Sequence, residues 1–193
     1  MNNPEKITSK NETNEKGQQW EEMQKTIETI KGNLGNPVGK QVEDAVIGLN
    51  LLGTRTFMSG EGRMGDFRRP TAPFVDVESP EAPGLNKEYE NQNGDVGYNE
   101  IEADEIRKII SQKNLETRSK LMSLLDEFYK GRQVSYDTVL TIESSKDNAS
   151  HITNQGAHLQ EINDDDTRKK NLARYQEEMK AFGKFLKEKY LAE

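Results

Sequence analysis

The sequence predicts an α+β fold: a small, mostly antiparallel sheet of about three strands covered by helices. Three observations carry that expectation. Apolar residues recur at helical spacing in four segments, short β-branched runs lie between them, and Gly- and Pro-containing breaks separate the two kinds of segment. The chain has 193 residues, enough for one domain, and is 32% hydrophobic against 32% charged. Leu, Ile, Val and Phe make up about a fifth of it, a fraction low enough to imply a modest core with polar segments set apart from it.

Residues 1–13 are polar and aperiodic and read as a disordered tail, leaving 14–193 as a single domain. Trp20, Met23, Ile27 and Ile30 share one helical face, and Gly32 and Gly35-Asn36-Pro37 end that helix. A second helix is expected from Val38 to Leu52, burying Val42, Ala45, Val46, Leu49 and Leu52, with Gly53 in the terminating position. Thr54–Ser59 and Pro73–Glu78 are strand candidates. Residues 79–98 form a polar excursion, after which Asn99 and Glu102 make a capping-box pattern. The long helix that follows reaches Tyr129, buries Ile106, Ile110, Leu121, Leu124 and Phe128, and stops at Gly131. Val134–Glu143 is the third strand candidate, and residues 144–163 read as a polar loop. In the last helix Leu172, Tyr175, Met179, Phe182, Leu186 and Tyr190 line one face. Asp164–Asp166 at its start and Lys184, Lys187 and Lys189 at its end match the helix dipole.

The totals exclude several classes of function. No apolar run approaches the ~20 residues of a membrane span, and the N-terminal residues lack the apolar centre of a secretory signal. A cytoplasmic protein is the expectation. With no cysteine there is no disulfide, thiolate ligand or cysteine nucleophile. The two histidines, His151 and His158, fall seven residues apart in the polar 144–163 stretch. They read as solvated loop residues, neither a catalytic pair nor metal ligands at helical spacing. A net charge of −7 argues against nucleic acid and anionic membrane as partners.

The loop between the first two strands is the candidate site. Four of the chain's nine arginines are Arg55, Arg63, Arg68 and Arg69. In SGEGRMGDFRR the glycines at 60, 62 and 65 let backbone amides approach an anion. Arg63, Arg68 and Arg69, with Ser59 and Glu61, form the candidate ligand-binding set for phosphate or carboxylate. The competing reading is that the glycines serve turns and the arginines pair with nearby acids. Asp76 and Glu78 alternate with Val75 and Val77, so both carboxylates share one strand face. With Glu61 they could hold Mg²⁺ or supply a general base. The ordinary alternative is a wet sheet face, with ion pairs from Arg55 or Arg63 to Asp76 or Glu78.

The stretch Leu49-Asn50-Leu51-Leu52-Gly53-Thr54-Arg55-Thr56-Phe57-Met58-Ser59-Gly60-Glu61-Gly62-Arg63 resembles an uncharacterised group of bacterial proteins with the pattern LNALG-x-T-x-x-S-C-E-G-H. In that group a proline and a Trp/Phe-Val-Asp/Glu strand follow, here Pro73-Phe74-Val75-Asp76-Val77-Glu78. Glu177-Glu178-Met179 through Phe185-Leu186 is similar to the group's C-terminal helix. Gly60 stands in the place of the pattern's Cys and Arg63 in the place of its His. A site built on that thiol and imidazole would be absent here. The group has no known function, so the resemblance implies kinship and no activity.

The functional expectation is a non-catalytic binding or protein-interaction module that takes a small anionic ligand at loop 59–69 or a protein partner, with self-association through the helices as a further route. No cofactor is expected. The alternative is an enzyme acting on a phosphorylated or carboxylated small molecule. Arg63, Arg68 and Arg69 would hold the anion, and Glu61, Asp76 or Glu78 would supply a base or hold Mg²⁺.

Overall fold

The helical periodicities become α1 (Pro4–Thr29), α2 (Glu43–Leu51), α3 (Glu100–Tyr129) and α4 (Asp165–Ala192) in the computed structural model, which describes residues 4–30, 37–64, 71–82, 100–145, 148–161 and 164–193. The strands are β1 (Arg55–Gly60), β2 (Phe74–Glu78), β3 (Leu140–Ser144) and β4 (Ser150–Asn154). They form one antiparallel sheet in the order β1-β2-β4-β3. The α+β expectation holds, with four strands where about three were expected. No described helix is long and apolar enough to cross a membrane.

Local chemistry explains where the helices begin and end. α1 begins at Pro4, within the segment 1–13 that the sequence marks as a tail. Trp20 and Ile27 are buried as the spacing requires, whereas Ile30 lies beyond the last turn and is exposed. α2 starts at Glu43, not Val38, because Gly39 to Val42 is a turn closed by the Val42 N–H on the Gly39 carbonyl at 3.1 Å. Glu43 and Asp44 then occupy its first turn, where acids suit the dipole. Gly53 and Gly131 take positive φ (83° and 76°) just past α2 and α3, a conformation that favours glycine. Asp164 caps α4 by accepting from the N–H groups of Asp166 and Thr167, both at 3.0 Å. The cap expected at Asn99 and residues 83–98 of the polar excursion lie outside the described residues.

Two expectations between α3 and α4 are corrected. Of the strand candidate Val134–Glu143, the first half is a 3₁₀ turn, Tyr136–Thr138, pinned by Arg174 on Asp137 and by Ser135 Oγ to Thr138 Oγ1 at 2.7 Å. Only the Leu140–Ser144 portion pairs. The polar loop 144–163 contains β4 and a second 3₁₀ segment, Gln155–Glu161. β4 was hidden because three of its four buried residues are polar, and each of the three finds a distant partner. Ser150 Oγ accepts from Arg118 Nε at 3.3 Å, Thr153 Oγ1 donates to the Pro73 carbonyl at 3.0 Å, and Asn154 Nδ2 donates to the Thr138 carbonyl at 2.7 Å. These bonds offset the cost of burying polar groups.

All four described α-helices contribute to one core, built on the sheet face that carries Val75, Val77 and Ile152. α2 and α4 approach closely through glycines: a Cβ on Gly48 would meet the Leu186 side chain, and one on Gly183 would lie 2.8 Å from the Ala45 nitrogen. Phe128, Phe182 and Phe185 form an aromatic cluster between α3 and α4, with Phe128 edge-on to Phe182 at 5.3 Å.

Candidate functional site

Strand alternation sends Val75 and Val77 into the core and leaves Phe74, Asp76 and Glu78 on the opposite face. Directly opposed residues of paired strands share a face, so the register assembles a row across the whole sheet: Met58 on β1, Asp76 on β2, His151 on β4 and Glu143 on β3. The next row carries Gly60, Phe74, Thr153 and Thr141. The site sits on these two rows, away from the helices.

Asp76 is 6% exposed, and its carboxylate accepts a hydrogen bond from His151 Nδ1 at 2.5 Å. The Phe74 ring stacks on the imidazole at a centroid distance of 5.1 Å and an interplanar angle of 29°. The His151 side chain is 30% exposed. Nδ1 is thus committed to Asp76, while the described residues place no hydrogen bond on Nε2. Beyond Glu143, the 3₁₀ segment brings His158 back over the sheet, with Nε2 2.9 Å from Glu143 Oε1.

The hydrogen bond to Asp76 raises the His151 pKa above its ordinary value. Burial opposes this, and the charges of Asp76 and Glu143 add to it. A histidine whose folded pKa is raised contributes stability that is fully present below its unfolded pKa of about 6.5 and is lost as pH climbs through the folded value. Stability should therefore fall as pH rises above about 6.5, and Asp76→Asn should flatten that part of the curve. Urea unfolding followed through Trp20 across that range checks it. An equally steep fall in the variant would assign the dependence to other groups.

The expected site residues are dispersed. Glu78 pairs with Arg55 on β1, one of the two arginines expected to meet a strand carboxylate. Glu61 does not join Asp76 and Glu78: its side chain lies over Gly39, and its carbonyl accepts from Gln176 Nε2 of α4 at 2.9 Å. Gly62 takes a positive φ of 76°, and a Cβ there would lie 2.7 Å from both Leu172 Cδ1 and the Thr71 carbonyl oxygen. Arg63 is exposed and exchanges backbone hydrogen bonds with Thr71, both at 3.0 Å. Ser59 pairs with Val75 on β1 and is half-buried. Arg68 and Arg69 lie outside the described residues. Among the described residues, no three His, Asp or Glu side chains surround a point where a metal ion could already sit.

His151 is the residue that sequence reasoning misplaced. Its stretch, Ser-His-Ile-Thr-Asn, has one apolar residue in five, so the polar alternation of a strand was invisible. The signal available was the β-branched pair Ile152-Thr153 a short turn after Thr141-Ile142. Asn148 holds a positive φ of 59° in that turn, a conformation asparagine tolerates. No family model matches the sequence, and no curated protein or solved structure is significantly similar to it.

Proposed function

We propose that the chain is a non-catalytic binding module whose recognition surface is the sheet face opposite the helices, centred on His151. The observation that carries this reading is the Asp76–His151 hydrogen bond. A nearly buried carboxylate orients the imidazole in the middle of a four-strand row, stacked on Phe74 and with Nε2 left for a ligand. Core packing does not require such a pair, since the core lies on the other side of the sheet. Two of the three carboxylates named as bases are engaged, Asp76 by His151 and Glu78 by Arg55, and the third, Glu61, lies apart from them over Gly39, which favours binding over catalysis. Anion binding at loop 59–69 remains part of the proposal through the exposed Arg63.

Thermal unfolding against divalent cations, nucleotides and phosphorylated metabolites tests both surfaces when wild type, His151→Asn and Arg63→Ala are run together. A ligand at a hundred times its Kd stabilises by about 2.7 kcal/mol, or roughly 5–10 °C for a domain of this size. Loss of the shift in His151→Asn alone places the ligand on the sheet face, and loss in Arg63→Ala alone places it at the loop. A shift that survives in both variants contradicts the assignment.

An enzyme acting on a phosphorylated or carboxylated small molecule is the second reading, because an imidazole oriented by a carboxylate is also the arrangement of a general base. His151 would then take the role first given to Glu61, Asp76 or Glu78. Turnover that His151→Asn abolishes would decide for it.

A further inference from the structure

The sheet brings both of the chain's histidines to one carboxylate. Glu143 stands directly opposite His151 across the β3–β4 pair, and His158 reaches the same Glu143 from the 3₁₀ segment. The face is acidic around them: Asp76, Glu143 and Glu78 are offset by Arg55 alone among the described residues of the rows. A cation suits that field, and two imidazoles with a carboxylate suit zinc, copper or nickel ions over Mg²⁺.

We infer that this face binds a transition-metal ion of the zinc type through His151 Nε2, the Glu143 carboxylate and an imidazole nitrogen of His158. The inference rests on the reading of this face as the recognition surface, and it names the ligand class. Asp76 acts as a positioning residue. By holding Nδ1 it fixes the His151 tautomer and presents the Nε2 lone pair outward, the role a carboxylate plays behind a metal-bound histidine. The remaining two ligands are not yet gathered around a common point. The Glu143 and His158 side chains are 38% and 75% exposed, so binding draws them in by rotamer changes at the surface, exchanging their mutual hydrogen bond for bonds to the ion. Water completes the coordination.

Isothermal titration of the full chain with ZnCl₂ alone, near pH 7.5, tests this. One ion per chain is expected, with no binding of Mg²⁺. His158→Ala and Glu143→Gln change exposed side chains and leave the fold intact. Each should weaken zinc by at least about tenfold, and Asp76→Asn by about 10- to 100-fold. Wild type that takes up no zinc, or His158→Ala that binds as tightly as wild type, overturns the inference. A ligand from the thermal panel that depends on His151 in a protein blind to zinc would sink the metal and leave the reading of the face standing. Zinc bound equally by wild type and His151→Asn would remove the metal from this face.

Discussion

Phe182→Ala is expected to lower the unfolding free energy by about 3–5 kcal/mol, the range for deleting a buried phenylalanine. Phe182 is fully buried on α4, edge-on to Phe128 of α3, and stacks at 6.2 Å with Phe185. It sits where the long helix meets the last one. Truncation removes the ring's burial, leaves a cavity that fixed helices cannot close, and ends the aromatic contact with Phe128. The melting midpoint should fall by roughly 10 °C. Phe185→Ala, at a half-buried position, should cost distinctly less. The sole tryptophan, Trp20, is buried beside Tyr190 and reports the transition by fluorescence. A loss below about 1 kcal/mol for Phe182→Ala would show that α3 and α4 do not meet through this cluster.

Arg132→Ala is expected to cost about 3 kcal/mol, for a different reason. Glu178 is 6% exposed within α4, and both of its carboxylate oxygens accept from Arg132 Nη2, at 3.0 and 2.8 Å. The guanidinium also covers the Phe128 ring at 4.0 Å. Removing it leaves a nearly buried carboxylate with no opposing charge and only the Tyr129 hydroxyl beside it. The figure is the lower end for breaking a buried pair, because Arg132 is itself 35% exposed. The cost comes from the orphaned charge, so Arg132→Met with Glu178→Met should be less destabilised than Arg132→Ala alone. Urea unfolding of the three proteins checks this. A double variant at least as unstable as Arg132→Ala would assign the loss to packing.

How legible the structure was in the sequence depended on where each residue's partner lay. α4 was legible because Tyr175, Met179, Phe182, Leu186 and Tyr190 keep helical spacing and Asp164 caps its own first turn, both local signals. β1 and β2 were legible within one residue, since Val75 and Val77 alternate with polar neighbours. Asp76 and Glu78 were placed on a common face for the same reason. β4 was not legible, because Ser150, Thr153 and Asn154 are buried on the strength of hydrogen bonds to Arg118, Pro73 and Thr138, and no spacing rule connects those residues. His151 went with it. A histidine's role is set by what faces it, and Asp76 lies 75 positions away. The glycines around position 60 carry two signals at once. They resemble an anion loop by composition, and Gly62 also has a structural reason to be glycine, a positive φ and no room for a Cβ beside Leu172.

The central claim is that Asp76 holds His151 by Nδ1 and leaves Nε2 to a ligand on the sheet face opposite the helices. Nitrogen-15 NMR of the imidazole as a function of pH tests it most directly, since the two ring nitrogens have separate resonances. In the wild type the expected result is a titration midpoint above the ordinary histidine value of about 6.5 and, on the basic side, a tautomer protonated at Nδ1. Asp76→Asn should bring the midpoint back toward that value. A wild-type midpoint at or below about 6.5, or a neutral form protonated at Nε2, would contradict the account.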